Sequence, residues 1–484
     1  VQPVQPAADE KTEFNRSLSL LDSTLIVSGS MIGSGVFIVT ADMARNLGSS
    51  GWLLMLWVLT GVLTVAAALS YGELAGMMPK AGGQYIYIQR AYGRLTGFVY
   101  GWTVFTVIQS GVIAAVAVAF TKFSAVFIPA LGPENILVAL GPIKITVGSL
   151  YAIGSVVLLT WLNSRGVQSG KLIQNIFTSA KLIALLGLIV VGITMGLNSG
   201  LLTANLANAW DATSTSATGE IVPLAGMALL LAFGTSMVGS IFSADSWNNV
   251  TFIAGEIKNP RRNIPLALFF GTLTVTVIYL LANIAYLSLL PLSGSPTATD
   301  VVGRGLQFAT ADRVGTAAAS VVFGNLGVSI MAVLIMISTF GCNNGLILAG
   351  ARLYYAMAKD GLFFEQASHL NENAVPARAL WLQCAWASVL CLSGTYGDLL
   401  DYCTFTSLVF YIVTIGGLFI LRRREPNAER PYRAFGYPLV PALYMIIGLG
   451  ICFILLYTKT FNTGMGLLIA ALGIPVYLVT RRKK

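Results

Sequence analysis

Apolar residues in this chain come in long runs, without the two-residue alternation of a half-buried strand. A run of about 20 apolar residues, folded as a helix, crosses the hydrocarbon core of a bilayer. Twelve such runs are separated by short polar or Gly- and Pro-containing connections. They lie near residues 20–44, 52–78, 96–127, 146–162, 171–196, 222–254, 265–290, 323–356, 378–395, 399–421, 437–457 and 462–480, and are numbered here as spans 1–12. The pattern predicts an all-α polytopic membrane protein with 12 transmembrane helices. Residues 1–19 are expected to be an N-terminal tail, disordered over Val1–Asn15, and residues 481–484 a C-terminal tail. The polar residues 1–19 carry charges of both signs and the apolar run after them is too long for a cleavable leader. The connections 197–221 and 291–322 are the longest, and 311–321 predicts a short helix lying over the outer face. No soluble domain is visible.

Charge gives the runs a direction. With an even number of spans both termini share one side. That side holds 22 of the 29 lysines and arginines, in the terminal segments and the even-numbered connections. By the positive-inside rule it is the cytoplasmic side. The net charge of +9 then follows from topology and from anionic lipid headgroups, without a nucleic-acid partner. Composition agrees with a lipid setting: only 10% of residues are charged, against about 25% in soluble proteins. The five cysteines, Cys342, Cys384, Cys391, Cys403 and Cys452, sit in apolar runs without metal-ligand spacing, and so are expected to be small core residues. The single histidine, His369, lies in a polar connection. A zinc site, a haem and a serine–histidine triad are therefore not expected. No cofactor, no metal and no enzymatic activity are predicted.

Two spans carry a sequence that does not suit an unbroken helix. Span 1 contains Gly29-Ser30-Met31-Ile32-Gly33-Ser34-Gly35-Val36-Phe37, and each glycine costs a helix about 1 kcal/mol. Inside a bilayer, broken helix is tolerated only where it lines a cavity or meets a ligand. The N–H groups at Gly33, Ser34 and Gly35 would open a second half-helix, whose positive dipole end suits a carboxylate. Span 6 reads Phe242-Ser243-Ala244-Asp245-Ser246-Trp247-Asn248 at its break, and freed carbonyls near Phe242 and Asp245 suit an ammonium group. Spans 1 and 6 hold the same place in two five-helix halves, the arrangement expected of a transporter site. Close helix packing through small residues is the competing explanation.

Deep charges are few. Lys181, in span 5, costs at least about 2.5 kcal/mol on insertion scales. It should be paired with backbone carbonyls or uncharged, and as a fixed cation it would tie span 1 to span 8 near Ser338 and Thr339. Snorkelling to an interface is the alternative. Asp245 either contacts a substrate side chain or caps the second half of span 6. Glu73 and Glu256 lie near cytoplasmic span ends and are expected to pair with loop arginines, as structural or gating residues.

These residues resemble the amino acid–polyamine–organocation superfamily and, within it, the L-type amino acid transporter group, as a bacterial-type permease. The resemblance covers roughly residues 16–440. It rests on Gly29–Phe37, Leu69-Ser70-Tyr71-Gly72-Glu73-Leu74, Pro79–Tyr85, Phe177-Thr178-Ser179-Ala180-Lys181-Leu182, Trp247-Asn248 leading to Gly255–Pro260, and Leu421–Arg433. It implies a five-plus-five inverted-repeat core over 20–421, with halves 20–196 and 222–421 and broken helices 1 and 6, followed by two C-terminal helices over 437–480. It implies a substrate carboxylate held by Gly33, Ser34 and Gly35, an amino group on carbonyls of Met31, Phe242 and Asp245, and Phe242 as an outer gate. Lys181 would replace the sodium ion of related symporters. Ile108, Val112, Phe405 and Ser407 would line the side-chain pocket. Animal members are disulfide-linked to a single-span glycoprotein through an external cysteine between spans 3 and 4. Residues 123–146 contain none, so no such heavy-chain partner is expected.

The function expected is sodium-independent exchange or facilitated transport of neutral L-amino acids by alternating access. The alternative is a proton-coupled permease, or one for cationic amino acids or polyamines, drawing on Asp245 and Lys181. An ion channel or membrane-embedded enzyme finds no pore repeat, charged ring or catalytic cluster to support it. The side chain preferred is not legible: a small pocket would favour alanine, serine or glycine, and a large one leucine or phenylalanine.

Overall fold

Helix ends follow local chemistry. Ser19 opens the first helix, Leu20–Met31, with a capping box: its hydroxyl accepts from the Asp22 N–H at 3.2 Å and the Asp22 carboxylate accepts from the Ser19 N–H at 2.9 Å. Thr146 and Ser149 cap span 4 in the same way. Pro260 starts span 7, where its missing N–H costs nothing.

The protein is described by a computed structural model over residues 16–140, 143–393 and 396–482. The expected tail residues 1–15 and 483–484 lie outside the described residues. Eleven helices within that range are long and apolar enough to cross a membrane. A shorter apolar helix, Ala377–Ser393, stands at span 9. The chain is thus a multi-pass helical membrane protein. Residues 17 and 18, expected in the tail, are docked instead. Both N–H groups donate to Glu256 O at 3.0 Å, and Lys258 N–H donates to Leu18 O at 2.8 Å.

Burial sorts the helices into centre and rim. In its most apolar window span 1 is 89% buried, against 28% for Thr460–Val479 of span 12. The first therefore runs through the middle of the bundle and the last faces lipid. Span 8, Val314–Lys359, turns sharply at Gly324, which has φ 60° and ψ −146°. The piece before the turn corresponds to the short external helix expected from the sequence. The hairpins Ile136–Leu140 with Ile143–Thr146, and Thr213–Thr215 with Ile221–Pro223, were not expected. All five cysteines are buried thiols.

On the arginine-rich face, Glu73 is fully buried. It accepts from Arg422 at 2.9 and 2.5 Å, from Arg430 at 3.1 Å and from the Ala434 N–H at 2.7 Å. Glu256 pairs with Arg352 at 3.0 Å, both nearly sealed from solvent. Glu73 thus meets the loop arginine Arg430 as expected, while Arg422 and Arg352 stand on helices rather than in loops.

Candidate functional site

Span 1 is broken where its glycines predicted. The first half ends at Met31 and the second, Gly35–Leu47, begins four residues later. The leading N–H groups of a helix have no partner inside it, so the break presents the Gly35 end of the second half. Gly35 also allows a close approach, because a Cβ there would sit 2.0 Å from Ser243 Oγ of span 6. The Gly33 N–H is not free as expected, since it donates to Met31 O at 2.9 Å. The Ser34 hydroxyl lies 3.0 Å from Tyr396 OH.

Every carbonyl from Gly29 to Gly33 is met by a donor. Lys181 Nζ donates to Gly29 O at 2.5 Å and to Ile32 O at 2.6 Å. Ser338 Oγ reaches Ile32 O at 3.1 Å and Gly33 O at 3.2 Å. Cys342 Sγ donates to Ser30 O at 3.0 Å. Tyr279 OH lies 2.9 Å from Met31 O and 3.0 Å from Ser243 O, so one hydroxyl bridges both breaks. Lys181 and Ser338 thus do tie span 1 to spans 5 and 8. Thr339 instead turns its hydroxyl back to Ile335 and Met336 of its own helix. Met31 O already accepts from Tyr279 and Gly33. Cys342 and Tyr279 carried no signal beyond being polar-capable groups within apolar runs.

Span 6 breaks after Ser243. Ser246 takes a left-handed conformation, φ 68°, and only the short helix Asn249–Phe252 follows. Such a backbone costs a non-glycine residue energy and clusters at functional sites. The Phe242 ring meets Tyr396 edge-on at 6.1 Å, and the Tyr396 hydroxyl lies on that of Ser34, so Tyr396 touches both breaks. Asp245 is buried, and its carboxylate accepts from Tyr411 OH. Asn248 Nδ2 donates to Gln84 Oε1 at 2.8 Å, and Tyr100 OH donates to the same oxygen at 2.9 Å.

A cavity of about 20 Å³ lies between spans 3, 6 and 10, room for one or two waters. Ile108, Val112 and Ser407, three of the residues that the resemblance implied for a side-chain pocket, are in its wall together with Asp245. Phe405 is buried but not in that wall. The sequence reading missed Gln84, Tyr100, Gln109, Asn248 and Tyr411, which set polar groups into a wall that is otherwise mainly apolar. Amide side chains within apolar runs were the available signal. Among the described residues no group of three or more His, Cys, Asp or Glu could hold a metal ion.

Comparison with known proteins agrees with this architecture. The family model for amino acid permeases matches residues 18–477. The chain is 29% identical over 478 residues to the serine/threonine exchanger SteT of Bacillus subtilis (strain 168), covering 98% of this chain and 99% of that one. It is 29% identical to the human large neutral amino acids transporter small subunit 2, over 96% of this chain and 80% of that one. Against the mouse Asc-type amino acid transporter 1 the identity is also 29%, over 98% and 82%. These relatives are transporters, not enzymes. The chain belongs to the amino acid permease family, within the amino acid–polyamine–organocation superfamily.

Proposed function

We propose that this protein is a sodium-independent exchanger of small neutral L-amino acids, working by alternating access in the cell membrane with both termini cytoplasmic. The observation that carries the reading is the Lys181 ammonium on the Gly29 and Ile32 carbonyls. A fixed cation there holds the break in span 1 open without a bound metal ion. The positive end of the second half-helix, at Ser34 and Gly35, takes the substrate carboxylate. Carbonyls at the span-6 break, around Phe242 and Asp245, take the amino group, and Phe242 with Tyr396 closes over both. The substrate side chain enters the cavity between spans 3, 6 and 10. Its small volume favours alanine, serine and glycine over leucine. The serine/threonine exchanger among the relatives points the same way, whereas the large neutral amino acids transporter points to bulkier side chains.

The surrounding architecture is read as a five-plus-five inverted repeat over 20–421, with two peripheral helices over 437–480. No cysteine between residues 123 and 146 is available to a heavy-chain partner.

Purified protein in liposomes loaded with unlabelled alanine is expected to take up labelled alanine from outside. Uptake should be equal in sodium and potassium buffers and absent from empty liposomes. Uptake that follows a sodium gradient and ignores internal alanine would refute the exchanger. A second reading is favoured by Asp245, a buried carboxylate facing hydroxyls and amides in the cavity wall. It gives a proton-coupled or cationic amino acid permease, and arginine outcompeting alanine would select it.

A further inference from the structure

Span 3 is not a uniform α-helix. Between Arg94–Thr103 and Gln109–Ser124 it widens into a five-residue π-turn, Val104–Ile108, in which the Gln109 N–H bonds Val104 O five residues back. Such turns take in an extra residue and are frequent at functional sites. This one decides which residues face the cavity. Tyr100, Val104, Ile108 and Val112 are spaced by four and all lie in the cavity wall. In an α-helix, steps of four drift by about 40° each, or about 120° from Tyr100 to Val112. A regular helix would spread the four over about a third of its circumference. The extra residue, worth about 100° of helix, cancels most of that drift.

The turn is gripped from outside the cavity. Trp386 Nε1 of span 9 donates to Thr106 O at 2.9 Å, and its ring stacks on Phe105 at 6.4 Å. Cys403 Sγ of span 10 donates to Val107 O at 3.5 Å. Cys403 approaches that closely because residue 111 is glycine, where a Cβ would lie 2.5 Å from the sulfur. Neither Trp386 nor Cys403 lines the cavity. Three consecutive residues, Phe105, Thr106 and Val107, are thus held by two side chains whose contacts suit the widened turn.

We propose that Trp386 and Cys403 are positioning residues that set side-chain specificity: they hold the π-turn, and the π-turn selects the residues of span 3 that shape the pocket. The proposal rests on reading the cavity as the site of the substrate side chain. Releasing the two carbonyls lets span 3 relax toward a regular helix. Tyr100 and Val104 then rotate relative to Ile108 and Val112. The groups that hold the substrate carboxylate and ammonium, on spans 1 and 6, are left in place.

Glycine, alanine and leucine, titrated by thermal shift and by competition against labelled alanine, separate these effects. With Trp386→Phe and Cys403→Ala combined, glycine affinity is expected to stay within about two-fold. The alanine-to-leucine affinity ratio should move by about five-fold or more, within the range one pocket methylene commands. Each single change should move the ratio part of the way, which covers a double variant that fails to fold. Cys403→Ser, which keeps a donor, should stay near the unaltered ratio. An unchanged ratio in folded protein overturns the proposal. So does a loss of glycine affinity as large as that of the others, the mark of general damage. If the unaltered protein binds none of the three, the amino acid reading falls and the proposal with it, a result distinct from an unchanged ratio.

Discussion

Of the five consecutive carbonyls from Gly29 to Gly33, all but Met31 O, which also meets the Gly33 N–H, are satisfied by side chains, and each bare one would cost about 1–3 kcal/mol. Lys181 is the heaviest contributor, because its ammonium serves two of them. Lys181→Met is expected to leave Gly29 O bare and Ile32 O with Ser338 alone. The thermal midpoint in detergent should fall, and alanine exchange should drop to the level of empty liposomes. Retained exchange at an unchanged midpoint would show that the ammonium is not what keeps span 1 open. Lys181 and Ser338 were legible beforehand, since a lysine in an apolar run demands an explanation and its neighbours limit the answers. Tyr279, Cys342, Tyr411 and Tyr100 were not. Each is an ordinary residue in a membrane helix until folding sets it beside a partner far away in the chain, as with Tyr279 and Met31, 248 positions apart.

Helices were the most legible elements, since about 20 apolar residues in a row have few other fates in a bilayer. The breaks in spans 1 and 6 could also be read, because glycine, serine and aspartate weaken helices where they stand. The contact between the two breaks could not. Gly35 meets Ser243 Oγ so closely that a Cβ at residue 35 would lie 2.0 Å from it. Gly35→Val should therefore push the halves of spans 1 and 6 apart, at about 1–3 kcal/mol for an overpacked contact. Alanine binding by thermal shift should vanish even in protein that still elutes as a single species. Normal binding would mean that the approach at residue 35 does not shape the site. The π-turn in span 3 left no composition signal, since Val104-Phe105-Thr106-Val107-Ile108 suits a helix or a strand. Its cause lies in Trp386 and Cys403. The hairpin 136–146 did leave one, two short runs rich in β-branched and aliphatic residues divided by Gly141-Pro142, but the reading for membrane runs passed over it.

At the scale of the whole molecule, the two faces of the bundle are tied shut by different means. On the face that bears most of the lysines and arginines, residues 17–18 lie along 256–258. Glu256 is bound to Arg352, and Glu73 holds Arg422 and Arg430. The Glu256–Arg352 pair is almost wholly buried. The pairs at the other face, Arg45 with Asp312 and Lys459 with Asp401, stand partly in solvent. Exposed pairs contribute about 0–1 kcal/mol and are screened by salt, whereas severing a buried pair costs about 3–5 kcal/mol because a charge is stranded. In the alternating-access reading proposed above, opening of the arginine-rich face would part span 8 from the segment that follows span 6 and separate the buried Glu256–Arg352 pair. A double-mutant cycle tests this. Glu256→Gln and Arg352→Met should each lower the thermal midpoint sharply, while the combined variant, which strands no charge, should recover a large part of the loss. If opening this face limits exchange, the combined variant should also exchange alanine faster than the unaltered protein at a temperature where both stay folded. Additive destabilisation would show that the two residues do not act as a pair. Recovery of stability without any change in rate would place the limiting step at the other face.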